Sequence, residues 1–121
     1  MTKNNESTRY FSSRQEQSVA KLLDGYANSS SGSGNFSKGD VIVKDASLLV
    51  ECKTCVAPKE SFSIKKDWIS KNKEEAFAMR LDNHCVAFNF GPDTPNYFVI
   101  DEKLMAFLVD KLKEELEWYY D

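Results

Sequence analysis

Two overlapping spacings in the stretch Val50-Glu51-Cys52-Lys53-Thr54-Cys55 point to different chemistry. Cys52 and Cys55 form C-x-x-C, the spacing of a zinc half-site or a redox pair. Glu51 and Lys53 form E-x-K, which on a strand places an acid and a cation on one face and turns Cys52 to the other. An acid and a lysine at the end of an apolar run are costly to place there unless they pair or bind something. Asp40 opens the preceding apolar run, and a hairpin joining the two runs sets its carboxylate beside Glu51. Two converging carboxylates repel, and a hard cation relieves the repulsion. Mg²⁺ suits such a place because it takes few carboxylates and keeps waters and phosphate oxygens as its other ligands.

The thiol reading has weak support. A structural zinc needs four ligands, and the other candidates, His84 and Cys85, are neighbours on an expected strand and so point to opposite faces. Cys52 and Cys55 are separated by an odd offset and meet the same difficulty. A redox pair sits where a strand feeds a helix N-terminus, whereas here Val56-Ala57-Pro58 follows. Three cysteines without an export signal read as reduced thiols packed as small hydrophobes. The E-x-K pattern is not specific either: 19 acids in a chain with 13 lysines yield roughly two chance matches. The chain has two, and the second, Asp101-Glu102-Lys103, reads as a helix cap with first-turn charges. Only the strand context separates Glu51 and Lys53 from chance.

The elements that must position these residues follow from periodicity. Val19, Leu22, Leu23 and Tyr26 recur at helical spacing from about Ser13 to Tyr26. Asn28 to Lys38 has the Gly/Ser composition of a flexible loop. DVIVK from Asp40 and SLLVECKT from Ser47 are β-rich runs around Asp45-Ala46, a tight hairpin. Ser63 is placed to cap a helix running to about Leu81, with Trp68, Ile69, Ala76 and Phe77 on its apolar side. HCVAFNF and NYFVI read as two further strands, and Asp101 as the cap of a last helix striped by Leu104, Leu108, Leu112 and Leu116. The order is α-β-β-α-β-β-α, an α/β fold with a mixed central sheet flanked by helices. A chain of 121 residues supports one domain, 1–121, with residues 1–12 expected to be flexible.

The net charge of −3 does not announce a nucleic-acid binder, yet the charge is unevenly spread. Lys53 to Lys73 carries six lysines against Glu60 and Asp67, and Met1 to Arg14 three cations against Glu6, whereas Asp93 to Asp121 carries three lysines against eight acids. A basic front half suits a polyanion, with Lys59, Lys65 and Lys66 as phosphate contacts that set register without reading sequence. No apolar run is long enough to cross a bilayer and the N-terminus is polar, so a cytoplasmic protein away from membranes is expected.

In this order and spacing, the helix-one glutamate in Glu16-Gln17-Ser18-Val19-Ala20, the loop Ser31-Gly32-Ser33-Gly34, Lys38-Gly39-Asp40, Glu51-Cys52-Lys53-Thr54, Ser61-Phe62-Ser63-Ile64 and Glu74-Glu75-Ala76 resemble the PD-(D/E)XK nucleases. Within them the match is to the small phage and archaeal-type Holliday junction resolvase-like proteins, over about Arg14 to Ile100. The usual proline of the motif is replaced by Gly39. The resemblance implies a restriction-endonuclease-like fold and a homodimer acting on branched DNA with Mg²⁺, for which Mn²⁺ substitutes. It further implies that Asp40, Glu51, the Cys52 carbonyl and Glu16 hold the metal, that Lys53 serves the attacking water and the phosphate, and that Ser31, Ser33 and Lys38 approach DNA. A general or nicking endonuclease of the same fold, and a non-catalytic zinc-binding module, are the competing expectations.

Overall fold

The computed structural model describes residues 2–28 and 40–120. Its elements are α1 (Thr2–Leu23), β1 (Tyr26–Ala27), β2 (Asp40–Val43), β3 (Leu48–Lys53), α2 (Lys66–Ala78), β4 (Asn83–Phe88), β5 (Tyr97–Val99) and α3 (Glu102–Tyr120). One sheet takes all five strands in the order β1-β2-β3-β4-β5. β3 and β4 run parallel and every other pair antiparallel, so the sheet is mixed. Parallel neighbours need a crossover, and α2 supplies it.

β3 is the central strand, flanked by β2 and β4, and the apolar runs of these strands suit a sheet covered on both faces. Alternation then sorts their side chains. Val41, Val43, Val50, Cys85 and Ala87 pack with Val19 of α1 on one face. Ile42 and Leu49 pack with Ala76 of α2 on the other, together with Met79 and Leu81. Each fully buried Val, Leu or Ile among them contributes roughly 1.5–3 kcal/mol relative to exposure. The turn into β1 is tight: a Cβ on Gly25 would stand 2.6 Å from the Ile42 carbonyl oxygen, so α1 and β2 approach there only over glycine.

Several local expectations change. The first helix, expected from about Ser13, starts at Thr2, and β1, which the sequence reading lacked, adds a fifth strand. Two residues are too short for strand periodicity to register. The hairpin is wider than a two-residue turn: Lys44–Ala46 form a 3₁₀ turn and Ser47 closes it in the left-handed region at φ 50°. The Ser47 hydroxyl donates to Asp82 Oδ2 at 3.0 Å and accepts from the Asp82 backbone N–H at 2.8 Å, tying the hairpin to the entry of β4. Ser63 does not cap α2. The helix begins at Lys66 after an extended Lys65, because Phe62 stacks on Phe88 with centroids 5.2 Å apart and holds the chain out of helical shape until then. Asp101 does cap α3, its Oδ1 accepting from the Leu104 N–H at 2.8 Å. The leucine stripe of α3 nevertheless lies largely in the open, with Leu108, Leu112 and Leu116 exposed and Leu104 half-buried. Among the described residues no helix is long and apolar enough to cross a membrane.

Candidate metal centre

Asp40 and Glu51 stand directly opposite each other in the β2–β3 register, and alternation turns both toward α2 with Ile42 and Leu49. Glu75 comes from α2, one residue before the buried Ala76 that seats the helix on the sheet. Carboxylate oxygens of Asp40, Glu51 and Glu75 lie within 4.8 Å of one another. Asp40 is fully buried and Glu51 nearly so, which is an expensive position for negative charge. Burial first, then its hydrogen bond with Glu51 and the charges of Glu51 and Glu75, hold the Asp40 carboxyl far above the usual carboxylate range. One Glu75 oxygen, Oε2, is buried and receives no hydrogen bond among the described residues.

Lys53 is anchored on the same side. Its Nζ is 3.3 Å from Glu51 Oε1 and 4.7 Å above the ring of Trp68, so the ammonium lies between a carboxylate and an aromatic face. Trp68 lies on α2, one turn before Asn72, and Asn72 is buried with its Nδ2 donating to the Leu49 carbonyl at 3.4 Å. The α2 face over the strand ends is therefore polar exactly where an apolar helix stripe would put core residues, and it carries the carboxylate that completes the cluster.

Of the residues expected from sequence, Asp40, Glu51 and Lys53 come together as anticipated. Glu16 does not join the three mutually close carboxylates. It is half-buried on α1, and burial first and the charge of Glu51 second raise its pKa, which places it near the group but outside it. Glu75 occupies the third position instead. Its signal was present in the sequence as an acid on the face that α2 turns to the sheet, at helical spacing from Trp68, Asn72 and Met79. Cys52 turns its thiol to the α1 face, and burial followed by the charges of Glu16, Glu51 and Asp40 pushes that thiol far up. Lys59, Lys65 and Lys66 are all exposed; the Lys59 N–H donates to the Phe90 carbonyl at 2.8 Å, and Lys65 Nζ lies 5.6 Å from the Trp68 ring centroid. Ser31, Ser33 and Lys38 lie outside the described residues.

The cysteines build no zinc site among the described residues. Cys55 is buried with its Sγ 3.8 Å from the Asn89 carbonyl oxygen, and Cys85 is buried in the α1-side core, where burial pushes its thiol up to about 12. The described residues that approach one another as a metal-ligating group are carboxylates alone. His84 pairs with Asp101 at 3.6 Å, and its pKa is lowered, chiefly by burial and also by Lys73, with Asp101 opposing.

The donor set can be matched to an ion on chemistry. Three hard carboxylates, one with an orphaned buried oxygen, fit Mg²⁺ or Mn²⁺ and offer none of the soft ligands that favour structural zinc. No protein-family model, curated protein or solved structure matches the chain.

Proposed function

We propose that the chain is a Mg²⁺-dependent DNA endonuclease of the PD-(D/E)XK type with a restriction-endonuclease-like fold, selective for branched DNA such as the Holliday junction. The observation that carries this reading is the convergence of Asp40, Glu51 and Glu75 within 4.8 Å, with Lys53 held 3.3 Å from Glu51 at the end of the same strand. Buried carboxylates without a cation are a standing cost, and a hydrolytic lysine beside them gives that cost a use.

In this reading Asp40, Glu51 and Glu75 hold the ion, with Glu16 adding negative charge behind them. When bound, Mg²⁺ supplies Lewis acidity to the phosphate and acidifies a water for attack. Lys53, kept in place by Glu51 and Trp68, presents its ammonium to the phosphate and orients the nucleophile. The exposed Lys59, Lys65 and Lys66 follow the active-site strand in sequence and meet the DNA backbone as point charges. Cutting a junction on two strands symmetrically calls for two sites about a two-fold axis. The exposed apolar face of α3, with Leu108, Leu112 and Leu116, is suited to a second copy of the chain.

The test is a cleavage gel on a four-way junction, a nicked duplex and a linear duplex, each with Mg²⁺ or with chelator. Mg²⁺-dependent cutting of the junction in preference to both duplexes is expected. Equal cutting of all three makes the protein a general or nicking nuclease, and no cutting of any overturns the reading.

A further inference from the structure

A second recess lies on the α1 side, where β3 and β4 end in parallel, the edge at which open α/β sheets receive ligands. It encloses about 540 Å³, within the range of sites for small molecules, about 300–1,000 Å³. Its walls come from α1 and from the loop joining β4 to β5. Four side-chain amides line it, Gln15, Gln17, Asn89 and Asn96. Gln15 is nearly fully buried, and its Nε2 donates to the Lys53 carbonyl at 2.9 Å, to the Ala87 carbonyl at 3.3 Å and to Asn96 Oδ1 at 3.2 Å. Its Oε1 is buried and finds no donor among the described residues. An orphaned acceptor on a side chain whose two amide hydrogens are shared among three acceptors is a cost that folding alone does not explain.

The neighbouring groups are also held ready. Asn89 is buried, its Oδ1 accepting from the Thr54 hydroxyl at 2.9 Å and from the Gly91 N–H at 3.3 Å, which leaves its amide nitrogen as a donor. Asn96 Nδ2 donates to Ser18 Oγ at 3.3 Å. Phe11 offers a half-buried ring, and Lys21 and Arg14 stand exposed at the rim. Arg14 is braced by Tyr10, whose hydroxyl accepts from Nη1 at 2.8 Å, and by an ion pair with Asp93.

Fixed amide donors and acceptors beside an aromatic ring are what a nucleobase edge and face require, and cations at the rim suit its phosphate. We propose that this cleft takes one unstacked deoxynucleotide of the DNA strand, its base against Gln15, Asn89 and Asn96 and its phosphate against Lys21 and Arg14. This inference rests on the nuclease reading for its context, since Gln15 bonds the Lys53 carbonyl and so ties the cleft to the metal centre through β3. It also supplies a basis for structure selectivity. Extracting a base costs least where pairing is already broken, as at a branch point.

The experiment is a titration of the whole chain, in chelator, followed by the NMR signals of its side-chain amides. The ligands are dAMP, dCMP, the free deoxynucleosides and inorganic phosphate. Both nucleotides are expected to shift the amides of Gln15, Asn89 and Asn96 at millimolar concentration. Inorganic phosphate should leave those amides unmoved, and Lys21→Glu, at an exposed position, should weaken nucleotide binding roughly tenfold in a variant shown to be folded. Phe11→Ala should weaken the free nucleosides as well. Amides unmoved by nucleotides, or moved equally by phosphate alone, overturn the cleft. Because no metal is present, the two readings fail separately: cleavage of junctions without amide shifts sinks the cleft, and amide shifts in a protein that cuts no DNA uphold the cleft and sink the nuclease.

Discussion

The two faces of β3 use six residues in opposite ways. Toward α1, Val50 and Cys52 join Val19, Val41, Val43, Cys85 and Ala87 in a core that excludes charge. Toward α2, Leu49 begins the same way, but Glu51 and Lys53 follow it, opposite Asp40 and beneath Glu75. The first face stabilises the fold. The second works against it, because neutral Asp40 must be maintained at a pH where the unfolded chain would ionise it. A strand end that weakens its own sheet is explained by what it binds, and the Cys52 thiol packed on the opposite face needs no such explanation.

The comparison breaks most severely at Asp40. Asp40→Asn removes a hard ligand and should reduce Mg²⁺-dependent cleavage by at least about 10³-fold, judged against the loss of a single transition-state donor. The same variant should bind DNA about as tightly as the parent in chelator, because the buried Asp40 carboxyl is already held neutral there. Lys53→Ala should also stop cleavage yet weaken binding slightly, and quantitative gel shifts with a cleavage time course separate the two. If Asp40→Asn, shown to be folded, cuts like the parent, the chemistry lies elsewhere.

Glu75 comes next. Glu75→Gln keeps shape and loses charge, so the Mg²⁺ concentration for half-maximal cleavage should rise roughly 10- to 100-fold. An unchanged Mg²⁺ requirement would reduce Glu75 to a packing residue. A smaller effect is expected at Trp68. Trp68→Leu removes the ring under Lys53, worth about 0.5–1 kcal/mol, and should lower kcat a few-fold with little change in DNA affinity. The smallest belong to the opposite face: Cys52→Ala should lose on the order of 1 kcal/mol in thermal unfolding while cutting normally, and Cys55→Ser should cut like the parent. Abolished cleavage in folded Cys55→Ser would return the chemistry to the thiols.

What was legible in the sequence follows the same division. Short β-rich runs separated by Asp45-Ala46 marked β2 and β3, and their register then brought Asp40 to Glu51, so the hairpin half of the site could be read from local pattern. Glu75 stood in the Glu74-Glu75-Ala76 segment and at helical spacing from Trp68, but its place in the cluster depends on α2 packing back over strands that precede it by more than twenty residues. Glu16 was expected in the cluster, but α1 packs on the far face of the sheet and brings it only near. The α3 stripe was readable as a helix face, and nothing local specifies that it stays uncovered in a single chain. Gln15 was invisible for a related reason: it sits among polar neighbours in sequence, and its buried bonds reach Lys53, Ala87 and Asn96, far along the chain.

The claim that Asp40, Glu51 and Glu75 form a cation site held at the fold's expense is tested most directly by thermal unfolding of the parent and Asp40→Asn, in chelator and in Mg²⁺, from acid to alkaline pH. Because the folded pKa of Asp40 is raised, its burden is absent below the ordinary carboxylate range and grows as pH rises through neutrality toward the folded value. In chelator at neutral pH, Asp40→Asn should therefore be more stable than the parent by more than about 1.4 kcal/mol, the worth of one pKa unit, and the difference should shrink in acid. Mg²⁺ should stabilise the parent and leave Asp40→Asn unmoved. A variant that is less stable than the parent in chelator, and that gains as much from Mg²⁺, would contradict the account.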